Sequence, residues 1–301
     1  MINITYDSIL AKIGDTPLLR LNRITSSLKD NITIYAKLER FNPGGSVKDR
    51  AAFQMIKDAM DSGALTKDKI ILDATSGNTG IAYAMISAVL GYRAEIVLPK
   101  NASTERKKII SGFGAKITYS SELEGSDGAI RLVKEIYKKN PEKYYLPNQY
   151  GNPSNWKAHY LSTGPEILTQ TKNSITHFIA TVGTGGTITG TGKCLKEFDS
   201  KIKVIAVEPD NAMHGIEGVK HMDSSIVPEI YDRKFADETV FVNTDAAYEM
   251  SAKIAQVEGL AVGYSSGAAL VGAFKVAQTI DSGVIVIIFP DGGDRYLSHM
   301  V

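Results

Sequence analysis

Lys48 lies in Asn-Pro-Gly-Gly-Ser-Val-Lys-Asp-Arg, residues 42–50. An apolar run with strand character, Ile34 to Leu38, precedes it, and an amphipathic segment with helical character runs from about Val47 to Met60. Pro43, Gly44 and Gly45 break regular structure between the two, and Ser46 is placed to cap the new helix through its hydroxyl. Lys48 then falls in the first helical turn, where the N-terminal dipole disfavours a positive charge. An amine there is a candidate for a lowered pKa and for Schiff-base formation with a carbonyl compound. Taken alone, it also reads as one of 34 basic residues, facing water.

Three further loops have residue types suited to chemistry. In Thr75-Ser-Gly-Asn-Thr-Gly80, the hydroxyls of Thr75, Ser76 and Thr79, the Asn78 amide and the free N–H groups of a helix start converge. That is a carboxylate-sized anion site made of neutral donors, or a well-capped strand–helix turn. Gly183-Thr-Gly-Gly-Thr187 opens another helix, and its backbone N–H groups with the Thr184 and Thr187 hydroxyls suit a phosphate dianion. No Gly-Lys-Ser/Thr follows, so it is not a Walker loop, and Ile188 stands where a dinucleotide fingerprint needs its third glycine. In Ser265-Ser-Gly-Ala268 a serine hydroxyl can either meet a ring nitrogen or cap the helix. The five histidines show no HExxH or paired metal spacing, and Cys194 reads as a small packed side chain.

The elements that must position these loops alternate. Strands are expected at Ile70–Asp73, Arg93–Leu98, Ala115–Tyr119, His177–Val182, Lys203–Val207 and Val284–Phe289. Helices are expected at 81–90, from Ser103 or Thr104 to Gly112, and at 126–139, 187–198, 245–258 and 266–279. Residues 1–33 read as an opening helix, a turn at Gly14-Asp-Thr-Pro17 and a short apolar stretch, and 210–237 as long and irregular. This order predicts α/β architecture, two open units with mostly parallel sheets, and ligands at the carboxyl ends of the strands. A loop at 147–155 marks a domain crossing. At 301 residues, 43% hydrophobic and with a net charge of +1, the chain gives no reason to expect nucleic acid or an anionic membrane as partner. One cysteine, no signal-like N-terminus and no run of about 18 apolar residues lead to the expectation of a cytoplasmic protein.

An activated lysine, a phosphate loop, a separate carboxylate loop and a late neutral hydroxyl together match the needs of pyridoxal 5′-phosphate with an amino acid substrate. The chain resembles the cysteine synthase family, the fold-type II (tryptophan synthase β-like) pyridoxal phosphate enzymes that include cystathionine β-synthase. The resemblance rests on the four loops above and on Gly14-Asp-Thr-Pro17, Gln149-Tyr-Gly-Asn-Pro153 and Thr163-Gly-Pro-Glu166. Val207-Glu-Pro209 and Arg295-Tyr-Leu-Ser298 add to it. It implies that Lys48 carries the cofactor and moves the α-proton, and that Asn78 bonds the cofactor's 3′-oxygen. Gly183, Thr184, Gly185, Gly186 and Thr187 would hold the phosphate, and Ser265 the ring nitrogen. Thr75, Ser76, Thr79 and Gln149 would bind the substrate carboxylate. It implies a smaller mobile domain at 36–148 and a larger phosphate-binding domain of 1–35 plus 149–301. The implied reaction is β-replacement on O-acetyl-L-serine or O-phospho-L-serine with sulfide, giving L-cysteine.

The segment Gly215-Ile-Glu-Gly-Val-Lys-His-Met222 departs from the Gly-Ile-Gly-x-Gly-Phe pattern of many O-acetylserine-using members. Val227-Pro-Glu-Ile-Tyr-Asp232 looks more like the O-phosphoserine branch, so Lys220 becomes a candidate for a leaving phosphate, or else a surface lysine. Asp232 or Glu217 could instead activate water or another nucleophile, giving cysteine breakdown with sulfide release, and cystathionine synthesis stays open. A non-enzymatic binding or sensor role is disfavoured by the intact Lys48 and anion loops. The resemblance also implies a homodimer and a possible complex with serine acetyltransferase; because the sequence ends soon after Ser298, no long C-terminal lid is expected.

Overall fold

The computed structural model of the chain describes residues 8–75 and 77–296; Ser76 and Ser298 lie outside them. In chain order the strands are β1 (Leu18–Arg20), β2 (Ile32–Leu38), β3 (Ile70–Ala74), β4 (Arg93–Pro99), β5 (Lys116–Ser120), β6 (Tyr144–Tyr145), β7 (His177–Thr181), β8 (Lys203–Pro209), β9 (Glu238–Val242) and β10 (Gly283–Phe289). The helices are α1 (Lys48–Asp61), α2 (Asn78–Leu90), α3 (Thr104–Gly112), α4 (Gly125–Lys139), α5 (Ser154–Leu161), α6 (Thr163–Gln170), α7 (Gly186–Phe198), α8 (Thr244–Glu258) and α9 (Tyr264–Ala277).

The chain divides into two compact units. One takes Asn42–Ser154 with the described residues up to Ile13; the other takes Gly14–Phe41 and the chain from Asn155 onward. The first unit holds a parallel sheet in the order β5-β4-β3-β6. All five residues of β3 are buried, as a parallel strand covered on both faces requires. Helix α2 is buried nearly all round and ends at Gly91, whose φ of 69° forms a left-handed cap. The second unit holds a six-stranded sheet, β1-β2-β10-β7-β8-β9, parallel except for the antiparallel edge strand β1.

Expected divisions at 35/36 and 148/149 compare with observed ones at 41/42 and 154/155, and the described residues up to Ile13 fall with the smaller unit rather than the larger. The shift at the first has a direct cause: β2 pairs with β10 along its whole length and draws 36–38 into the larger sheet. Among the described residues of 1–33 no α-helix opens the chain; Ile9–Lys12 forms one 3₁₀ turn capped by Ser8. Helices α5 and α6, and strands β6 and β9, occupy stretches to which the sequence pattern assigns no element. Helix α6 carries Pro165 in its first turn, where a missing N–H costs nothing. No helix among the described residues is long and apolar enough to cross a membrane.

Candidate active site

In the first unit, α1 begins at Lys48 itself, and the residue at the cap position is Val47, which makes no side-chain cap bond. Ser46 still contributes as its type suggests, its Oγ accepting the Lys48 N–H at 3.3 Å. The loop is closed by its own groups: Gly45 N–H donates to the Asn42 carbonyl at 2.7 Å, and Gly44 N–H to Asp49 Oδ2 at 2.5 Å. Lys48 is half-buried, and α1 packs on α2.

The start of α2 brings together Thr75, Asn78, Thr79 and Gln149. Thr79 Oγ1 donates to Gln149 Oε1 at 3.0 Å, and Thr75 Oγ1 accepts the Gly77 N–H at 3.2 Å. A Cβ on Gly80 would stand 3.1–3.2 Å from Thr75, Ile96 and Ile110, so a glycine lets the helix seat closely behind the loop. Just upstream, burial pushes the Asp73 carboxyl up to about 7, against the opposing pull of the Ala74 N–H that its Oδ1 accepts.

That position gives a pH prediction. Folded Asp73 holds its proton more tightly than the unfolded residue. Its stabilising contribution is therefore fully present below about pH 4 and is lost as the pH rises to about 7. Asp73→Asn should stabilise the protein at pH 8 by up to about 4 kcal/mol, read as a higher melting temperature, with the difference vanishing near pH 4. Calorimetry across this range checks it; a variant less stable than its parent at pH 8 would contradict it.

In the second unit, Gly183–Thr187 joins β7 to α7. Gly185 has a φ of 83° and no room for a side chain, since a Cβ would overlap the Tyr231 ring. Additional Cβ atoms would strike the Gly218 carbonyl at Gly183 and the Asn155 amide at Gly186. The loop therefore presents bare backbone at the N-terminus of a 13-residue helix. Its two threonines are oriented from below: Asn155 Nδ2 donates to Thr184 Oγ1 at 3.1 Å, and Thr187 Oγ1 lies 3.3 Å from His159 Nε2. His159 Nδ1 in turn lies 2.9 Å from Thr163 Oγ1. Asn155, His159 and Tyr231 were not identified from sequence, because their roles depend on α5 and on an irregular segment with no periodic pattern.

Ser265 lies buried in the first turn of α9, one residue past Tyr264. Lys220 sits beside the glycine loop through its main chain, its N–H donating to the Val182 carbonyl at 2.8 Å. Its Nζ folds onto its own segment, 3.3 Å from the Ile226 carbonyl. Asp232 is exposed, with Oδ1 accepting the Lys234 N–H at 2.9 Å.

Residues 9–291 match the family described as "Pyridoxal-phosphate dependent enzyme". A cysteine synthase from Aquifex aeolicus is 51% identical over 97% of this chain and 91% of its own length. The chain belongs to the cysteine synthase family of pyridoxal-phosphate dependent enzymes. A crystal structure of cysteine synthase from Entamoeba histolytica superposes with a TM-score of 0.94 at 39% identity, covering 99% of this chain and 90% of that one. A hydrogen sulfide-producing enzyme from Fusobacterium nucleatum gives a TM-score of 0.91 at 37% identity, covering 97% and 98%. The cofactor is pyridoxal 5′-phosphate, the fold is type II, and the activity is of the transferase class that makes cysteine. The glycine loop fits such a cofactor: three positions that exclude a Cβ, two oriented hydroxyls and a helix N-terminus suit a phosphate ester.

Proposed function

We propose that the enzyme makes L-cysteine from O-acetyl-L-serine and sulfide. Bound pyridoxal phosphate supplies the electron sink for carbanion chemistry at the amino acid. Lys48 carries the cofactor and moves the α-proton. Thr75, Ser76, Thr79 and Gln149 hold the substrate carboxylate, and Asn78 and Ser265 hold the cofactor's 3′-oxygen and ring nitrogen. Gly183 to Thr187 anchor the phosphate.

The donor choice rests on one observation. A phosphorylated donor needs a cation for its leaving group, and Lys220 directs its ammonium to the Ile226 carbonyl while Arg233 pairs with Asp223 at 2.6 Å. O-Acetylserine makes no such demand. Steady-state rates should favour O-acetylserine over O-phosphoserine by at least about tenfold, and Lys220→Ala should keep that order. A preference for O-phosphoserine that collapses in Lys220→Ala would overturn the reading.

The likeness to a hydrogen sulfide-producing enzyme supports a second reading, in which the same site consumes cysteine and releases sulfide. Asp232, exposed and with its carboxylate accepting the Lys234 N–H within its own turn, is the residue for nucleophile activation in that case. Sulfide release from cysteine that is lost in Asp232→Asn would favour it. The proposal takes the enzyme as a cytoplasmic homodimer able to dock serine acetyltransferase; light scattering with and without that partner measures both associations.

A further inference from the structure

Gly215 is held at both of its backbone groups by one helix. Its N–H donates to Thr244 Oγ1 at 3.1 Å, and the Tyr248 hydroxyl donates to its carbonyl at 2.8 Å. Thr244 and Tyr248 are four residues apart and so share a face of α8. The approach requires glycine, because a Cβ at 215 would stand 2.5 Å from the Tyr248 hydroxyl.

The clamp connects to the site at both ends. The Tyr248 ring stacks on Tyr264, with centroids 3.9 Å apart and planes at 26°. Tyr264 immediately precedes Ser265 and also meets the Tyr296 ring, at 5.1 Å, whose hydroxyl donates to Asp291. A few residues beyond Gly215, the segment leans on the phosphate loop, through Lys220 N–H to Val182 and the Gly218 carbonyl against Gly183. The stretch 215–220 therefore spans from α8, which the Tyr248–Tyr264 stack joins to the Ser265 helix, to the glycine loop.

We propose that Thr244 and Tyr248 are positioning residues that fix the Gly215 end of this segment and thereby set how tightly the enzyme binds its amino acid donor. Neither contributes charge; both act through the backbone of Gly215. The proposal rests on the donor reading above, so its test has one arm independent of turnover.

Tyr248→Phe keeps the ring stack and removes one hydrogen bond. Thr244→Val keeps the size and removes the other. Each should raise KM for O-acetylserine about three- to tenfold and leave kcat within about twofold, the scale of a single neutral hydrogen bond. Thr244→Ser, which retains the oxygen, should restore the parent KM. Hydrogen exchange on the holoenzyme should show amides of 215–219 opening about tenfold faster in Tyr248→Phe, with α8 and α9 unchanged. Unchanged exchange at 215–219, or a loss of protection spread through α8 and α9, overturns the clamp. Faster exchange with an unaltered KM overturns its role in donor binding. Faster exchange in an enzyme that turns over no O-acetylserine leaves the clamp supported and overturns the donor reading instead.

Discussion

Lys48→Ala should lower the rate of cysteine formation by about 10³-fold or more while the protein stays folded. The side chain is half-buried at the first position of α1, where alanine is a good helix former. The loop before it is closed by other groups as well: Ser46 Oγ meets a backbone N–H, and Asp49 closes on Gly44. Cofactor affinity should survive in part, because the glycine loop and its threonines are on a different element. Steady-state assay, equilibrium dialysis of the cofactor and a thermal melt separate these outcomes. Turnover within about tenfold of the parent would remove Lys48 from the mechanism.

Glu166→Ala should destabilise the protein by about 3–5 kcal/mol, the cost of stranding a buried charge. Lys37 is 0% exposed, and its Nζ lies 2.6 Å from Glu166 Oε2. The same ammonium donates to the Thr16 carbonyl at 2.5 Å and to Gln170 Oε1 at 2.8 Å. Glu166 Oε1 also accepts the N–H of Asp15, a residue at φ 46° in the turn before β1. Without the carboxylate, the Thr16 carbonyl and Gln170 Oε1 that Lys37 still meets are both neutral. The double variant Lys37→Met with Glu166→Ala should recover most of the loss, since a buried apolar side chain no longer needs a counter-charge. Chemical denaturation of the two single variants and the double measures the coupling. A Glu166→Ala protein within about 1 kcal/mol of its parent would show that Gln170 and Thr16 suffice.

Much of this was legible from residue types. Strands β3, β4, β7, β8 and β10 announce themselves as apolar runs because parallel strands are buried on both faces. The glycine loop and the Thr75–Gly80 loop are local chemistry, set by neighbours in sequence. The Lys37–Glu166 pair was not legible as a contact: its members belong to Lys-Leu and Gly-Pro-Glu stretches that meet only through α6 and β2. Strand β9 was missed because it is a five-residue edge strand with Glu238 exposed at its start and Phe241 exposed on the opposite face, which breaks any alternating pattern. Helix α5 carries Trp156, His159 and Tyr160 among polar residues and shows no apolar stripe to read. Tyr248 looked like any helical tyrosine, since its partner Gly215 lies in a segment without regular structure.

The pairing of β2 with β10 has a consequence for biogenesis. Strand β2 is made early and has only β1 on one side until Gly283–Phe289 leaves the ribosome. At about 5–20 residues per second, that interval lasts on the order of ten to fifty seconds. During it, Asn42–Ser154 is already complete and contiguous, and can mature first. The nascent larger unit meanwhile carries an open, apolar edge at Ile32, Ile34 and Ala36. A chain interrupted before Gly283 would keep that edge, and the matching one on β7, unpaired, so incomplete synthesis yields an aggregation-prone product rather than a shortened enzyme.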